Sequence, residues 1–226
     1  MFTLNDVVPW GRSLDEYRSM FTLTDSDMTG RILGCADGPA SFNAEATALG
    51  WSVVSCDPLY RFGVAEIRDR IDITFQSFID QTKKNAAEFV WSNDLPDVEA
   101  LGHRRMAAMA QFLRDFDVGR ASGRYVDAEL PKLPFADDSF DVAVCAHFLF
   151  LYSEQFPQRF HVDSILELCR VGREVRVFPL LELGSVPSRH VSSVVDHLRT
   201  LGFNVQIEQV EYEFQHGGNQ MLRVLR

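Results

Sequence analysis

The chain has 226 residues, 46% of them hydrophobic, and a formal net charge of −10. That length suits one α/β domain with a sizeable core, and the acidic balance disfavours nucleic acid as a substrate. No apolar run reaches a membrane span, the N-terminus lacks a signal peptide's basic start, and the four cysteines form no CxxC pair, so no membrane attachment and a reducing, cytoplasmic setting are expected.

Taken in order, PWGRSLDEY holds Arg12 and Tyr17. It reads either as an N-terminal segment folding over a bound cofactor or, in preference, as a surface helix. Residues 31–58 follow as RILGCADGPASFNAEATALGWSVVSCDP. An apolar run (Ile32, Leu33) leads into a turn from Cys35 to Ala40 that lacks bulky side chains. Ser41 to Leu49 is alanine-rich, as befits a helix packed closely on a sheet, with Gly50 as its C-terminal cap. Trp51 to Cys56 is a second strand, stopped by Asp57-Pro58. This is the first βαβ half of a nucleotide-binding α/β fold. Its turn lets backbone N–H groups approach a ligand, and an acid about 20 residues on can accept hydrogen bonds from ribose hydroxyls.

A third strand is due within roughly 30 residues, yet the next candidate is Gly123 to Val126. Between them, Ile67, Ile71, Phe75 and Phe78 fall at helical spacing, as do Met106, Met109, Ala110 and Leu113. Residues 61–122 are therefore a crossover helix enlarged by a helical insertion, because a structureless loop of that length is foreign to a compact domain. The insertion reads as a lid over the ligand end of the sheet or, equally, as added core or a homodimer face. The basic pairs Lys83-Lys84 and Arg104-Arg105 read as solvated helix faces.

Tyr125 to Tyr152 is the second informative block: YVDAELPKLPFADDSFDVAVCAHFLFLY. Asp127-Ala128-Glu129 follows a strand end, Pro134 to Ser139 is a turn, and Phe140 to Ala146 is a central strand buried on both faces. Asp141 reads as a structural acceptor of backbone N–H groups. His147, Phe148 and Tyr152 lie just past the strand's carboxyl end, where ligands bind in open α/β sheets. Downstream come a helix over 161–171, a strand over 175–181, a helix over 191–201 capped by Gly202, and strands over 203–210 and 220–225 around a Gly-Gly turn.

These blocks resemble class I S-adenosylmethionine-dependent methyltransferases, roughly from Gly30 to Arg226 apart from the insertion. LPFADDSFDVAVCAHFLFLY carries the likeness most strongly, and the closing strand–turn–strand hairpin adds to it. The resemblance implies a single domain over 1–226. It would have a Rossmann-like seven-stranded sheet, mostly parallel with an antiparallel last strand, helices on both faces, and the helical insertion after the second strand. It further implies S-adenosylmethionine as cofactor. The Cys35-Ala36-Asp37-Gly38 loop would wrap the methionine end, Asp57 would hold the ribose, and Pro58 and Leu59 would flank the adenine. Asp127 and Ala128 would meet its amino edge, with Ala146 and His147 near the methyl group.

The family's acid-x-Gly-x-Gly-x-Gly loop is altered here: Gly34 replaces the acid, and Ala36 and Ala40 replace two glycines. An altered loop path is expected, because alanine at positive φ is costly. Asp37 stands a few residues on as a displaced carboxylate. His147 is the one catalytic candidate, as a general base near neutral pH or as a pocket wall. Cys35, Cys56 and Cys145 end neighbouring strands, but no fourth ligand accompanies them and no metal is expected. An Asn-Pro-Pro-Tyr motif of amino-directed nucleic-acid methylases is absent after the fourth strand. The expected function is methyl transfer to a small-molecule acceptor. The alternatives are a lapsed, methyltransferase-like binding or scaffold protein and a nicotinamide-dependent oxidoreductase, whose GxGxxG turn is missing.

Overall fold

The structure, a computed structural model, describes residues 8–226; the first seven residues of the expected domain lie outside it. Its centre is a seven-stranded sheet of order β3-β2-β1-β4-β5-β9-β8. The strands are β1 (Arg31–Cys35), β2 (Ser52–Cys56), β3 (Tyr125–Val126), β4 (Phe140–Ala146), β5 (Gly172–Phe178), β8 (Asn204–Gln209) and β9 (Gln220–Leu225). β1, β2, β3, β4 and β5 pair in parallel, whereas β9 runs antiparallel to both β5 and β8. This is the Rossmann-like α/β architecture that the resemblance to class I methyltransferases implied, with the last strand inserted antiparallel. β4 is almost wholly buried because parallel strands here are covered on both faces, which is why it reads as a continuous apolar run.

The helices divide between the two faces. α5 (Gln158–Val171) and α6 (Val191–Thr200) cover one and enclose a core that includes Leu33, Ala143, Ile165, Leu168 and Leu198. α1 (Leu14–Phe21) and α2 (Phe42–Ala48) cover the other, where Tyr17, Phe21, Ile32, Phe42 and Val144 meet. Burying side chains of this size contributes about 1.5–3 kcal/mol each before entropy is charged against it. α1 is thus an integral layer and not the surface helix preferred from the sequence. Gly50 and Gly202 take the positive φ expected of helix-ending glycines.

Two elements depart from the sequence reading. α5 runs directly into β5 at Gly172, so that strand begins three residues before the expected Val175 and ends at Phe178. The residues beyond form a separate two-stranded ribbon, β6 (Leu181–Glu182) with β7 (Val186–Pro187). Asp141 has its expected structural role: it accepts the Arg31 N–H at 2.8 Å.

The insertion is two long helices, α3 (Val64–Lys84) and α4 (Val98–Ala121). Their aromatic core joins Tyr60 and Tyr125 to Phe112 and Phe116. The buried face of α4 carries Leu101, Arg105, Met109, Phe112 and Phe116, while Met106, Ala110 and Leu113 are only half-buried. α4 packs against α2 as well as α3, and of its two methionines Met109 is on the buried face. Lys83 and Lys84 are solvated as expected, but Arg105 is fully buried because a carboxylate from α1 meets it. Among the described residues no helix is long and apolar enough to cross a membrane.

Candidate functional site

The small-residue loop leaves β1 opposite the end of β2, with Cys35 in register with Cys56. Ala36 has φ 57° and Gly38 φ 52°. Ala36 therefore holds the left-handed conformation that favours glycine, at a cost of about 1–2 kcal/mol. Asp37 folds back so that a Cβ on Gly34 would overlap its carboxylate. Its carboxylate thus occupies the space that a side chain at position 34 would enter.

Asp37 accepts hydrogen bonds from Tyr17 Oη at 2.7 Å and Ser55 Oγ at 2.6 Å. Burial outweighs these two donors and pushes its carboxyl up to about 7. Asp57 accepts the Gly38 N–H at 2.9 Å and the Leu59 N–H at 2.7 Å, tying the loop to the turn after β2. Burial again wins, and its carboxyl is pushed up to about 6. Tyr60, which the sequence reading passed over, donates to the Gly38 carbonyl at 2.8 Å.

A cavity of about 770 Å³ opens above the carboxyl ends of β1, β2 and β4. It brings together Cys35, Ala36, Asp37, Gly38, Asp57, Pro58, Leu59, Ala128, Ala146 and His147. Asp127 is not among the lining residues; it pairs with Arg61 at 3.4 Å near the surface. Arg12 and Tyr17 do line the cavity. Gly11 makes this placement possible, since a Cβ there would strike the Pro39 carbonyl, and Arg12 O accepts the Ser41 N–H at 3.0 Å.

Beside the loop lies a charge cluster that sequence spacing could not reveal. Arg105 Nη1 of α4 meets Glu16 Oε2 of α1 at 2.5 Å, and Tyr212 Oη donates to Glu16 Oε1 at 3.1 Å. Burial alone would raise the Glu16 carboxyl, but the Arg105 guanidinium drives it down to about 2. Arg12 has no carboxylate partner among the described residues. Its Nη1 donates to Trp10 O at 3.3 Å, and its buried Nε bonds nothing. His147 has φ 50°, donates its backbone N–H to Phe178 O at 2.6 Å, and leaves Nδ1 unpartnered. Burial, then the positive charges of Arg12 and Arg105, hold this imidazole neutral, well below the ordinary histidine range.

Two aromatic walls face the rest of the cavity. One comes from the segment after β4 and the start of α5, where Phe156 stacks on Phe160 at 4.3 Å beside Phe148. The other joins Trp10, stacked on Phe78 at 3.9 Å, to Phe89 and Phe214, themselves stacked at 4.7 Å. These residues come from distant parts of the chain, so only Phe148 and Tyr152, next to the β4 end, were visible in the sequence. Cys35 lies in register with Cys56 on one side and Cys145 on the other. Hydrogen bonding to Cys56 and burial keep the Cys35 thiol protonated, and burial does the same for Cys145.

No family model matches the chain. It is 31% identical to the uncharacterized protein MJ0045 of Methanocaldococcus jannaschii over 227 residues, covering 99% of this chain and 98% of that protein. Among solved structures it is similar to magnesium protoporphyrin IX methyltransferase (ChlM) from Synechocystis PCC 6803 with bound SAH. The TM-score is 0.47 at 11% identity, over 87% of this chain and 74% of that one. It is also similar to the PH0226 protein from Pyrococcus horikoshii OT3, with a TM-score of 0.44 at 15% identity, over 86% of this chain and 80% of that one.

Proposed function

The chain belongs to the family of the Methanocaldococcus jannaschii protein MJ0045, and we propose that this member, on a class I methyltransferase fold, is a cytoplasmic S-adenosylmethionine-dependent methyltransferase with a small-molecule acceptor. The observation that carries the reading is a pair of buried acids on the cavity floor. Asp37 and Asp57 bond only neutral hydroxyl and backbone N–H donors, so the floor favours a cationic ligand. A sulfonium and an ammonium group meet that demand. The GxGxxG turn that would take the diphosphate of a nicotinamide dinucleotide is missing.

Bound S-adenosylmethionine supplies an electrophilic methyl group on a sulfonium. The loop Cys35-Ala36-Asp37-Gly38 holds its methionine end, with Asp37 facing the cationic groups. Asp57 has two of about four lone-pair sites taken by N–H donors, which leaves acceptors for the ribose hydroxyls. Pro58, Leu59 and Ala128 line the adenine end, and Asp127 is at the rim with Arg61. Phe62, Ile73, Thr74 and Phe78 make the insertion a wall and lid, which keeps water from the reacting atoms and fixes their alignment. His147, held neutral, acts as a hydrogen-bonding group to the acceptor and not as a base that titrates near neutrality.

Calorimetric titration with S-adenosylmethionine and its demethylated product tests this. Micromolar binding of both is expected, weakened tenfold or more by Asp57→Ala, with no binding of NADH. No heat and no thermal shift with either ligand would replace the reading with that of a lapsed scaffold protein.

A further inference from the structure

The sign of the cavity changes between its floor and its far side. The floor presents two carboxylates without cations, whereas the far side presents Arg12, a buried cation that makes no ion pair among the described residues and shares the field of Glu16 with Arg105. Among the described residues of this cluster, Arg12 is the arginine without an ion pair: Arg105 already has Glu16, and Tyr212 donates to that same carboxylate. The Arg12 Nε and the neighbouring Trp10 Nε1 are buried donors with no partner, and both side chains line the cavity. A buried donor without a partner costs about 1–3 kcal/mol, more when charged, and in a native structure it marks a place for water, an ion or a ligand. His147, also lining the cavity, is held neutral there by burial and then by the positive charges of Arg12 and Arg105. The same cavity is lined by Phe148, Phe156 and Phe160 and by Phe89 and Phe214, which offer planar apolar surfaces.

We propose that the acceptor is a planar, apolar molecule bearing one acidic oxygen (a carboxylate, phenolate or enolate), with the oxyanion held by Arg12 and Trp10 and the ring held between the aromatic walls. The proposal rests on the methyltransferase reading, since it concerns what enters the cavity beside the cofactor. Arg12 supplies the charge and Trp10 Nε1 a second donor. The Nδ1 of His147 is a third polar atom next to them. A polar, cationic or purely aliphatic acceptor uses none of these groups.

The test uses 2-naphthoate and its neutral analogue 2-naphthylmethanol, titrated into the protein saturated with S-adenosylhomocysteine. The wild-type protein is expected to bind naphthoate at least tenfold more tightly than the alcohol. Arg12→Met should abolish that preference and leave S-adenosylhomocysteine affinity within twofold, while Phe156→Ala should weaken both probes alike. Equal affinities in the wild type overturn the proposal without recourse to any variant. A parallel loss of S-adenosylhomocysteine affinity in Arg12→Met, with 5′-methylthioadenosine binding unchanged, also overturns it, by giving the guanidinium to the cofactor's own carboxylate. A naphthoate preference in protein that binds no S-adenosylhomocysteine upholds the oxyanion site and overturns the cofactor reading instead.

Discussion

Asp37 reaches back along β1 until its carboxylate fills the space above Gly34. The two residues are interdependent. Any side chain at position 34 would displace the acid, and the acid in its folded-back place leaves room only for glycine. The strand end that carries no acid at position 34 thus has a carboxylate folded over it from three positions on.

Gly34→Ala is accordingly expected to destabilise the protein by about 1–3 kcal/mol, the usual cost of overpacking a closed site. In an Asp37→Gly background most of that cost should vanish. Urea unfolding of the four proteins of the cycle measures the coupling; additive effects would show that the two positions do not share this space.

Ala36 presents the opposite case, a residue kept in a conformation that suits glycine. Ala36→Gly should relieve the left-handed strain and stabilise the protein by about 0.5–1 kcal/mol after glycine's entropy is counted. S-adenosylhomocysteine affinity should change little. A fall in melting temperature would mean that the loop does not hold this path in solution.

The carboxyls of Asp37 and Asp57 are raised to about 7 and about 6. The stability each contributes is complete below the ordinary carboxyl value near 4 and is lost as pH rises through the raised value. Ligand-free protein should therefore lose stability through these two groups between about pH 4 and pH 7. Affinity for S-adenosylmethionine should rise over the same interval as they ionise. His147, displaced downward, acts with the opposite sign: keeping it neutral favours the fold above about pH 6.5, and that contribution fades on acidification. The difference in melting temperature between wild type and Asp37→Asn as a function of pH isolates the aspartate, and a flat difference would refute its assignment.

Arg105 and Glu16 lock the insertion to the first helix. Arg105→Met leaves a carboxylate buried without its cation and is expected to cost about 3–5 kcal/mol. Adding Glu16→Gln should recover a good part of it. Because the Glu16 carboxyl is held down at about 2, the pair stabilises the fold above the ordinary carboxyl value and fails as pH falls toward 2. Denaturant midpoints at pH 7 and pH 3 for the single and double variants check both statements.

The sequence alone determined what repeats locally or follows a rule of chain geometry. The strand–turn–helix–strand from Arg31 to Cys56, the buried run Phe140–Ala146 and the glycine-ended helices were legible because periodicity, small residues and caps act within a few residues of each other. So was the gathering of Asp57 and His147 at one end of the sheet, which follows from parallel strands sharing a carboxyl edge. Only the tertiary structure decided which charges are buried and who neutralises them. Arg105 looked like half of a solvated basic pair, and its burial depends on Glu16, 89 positions away in the chain. Arg12 and Tyr17 became cavity residues because Gly11 packs against Pro39, and Asp127 stayed near the surface, where it pairs with Arg61. Charge burial costs several kcal/mol per ion unless a partner arrives. The environment of each ionisable group is therefore set by long-range packing, which spacing along the chain does not encode.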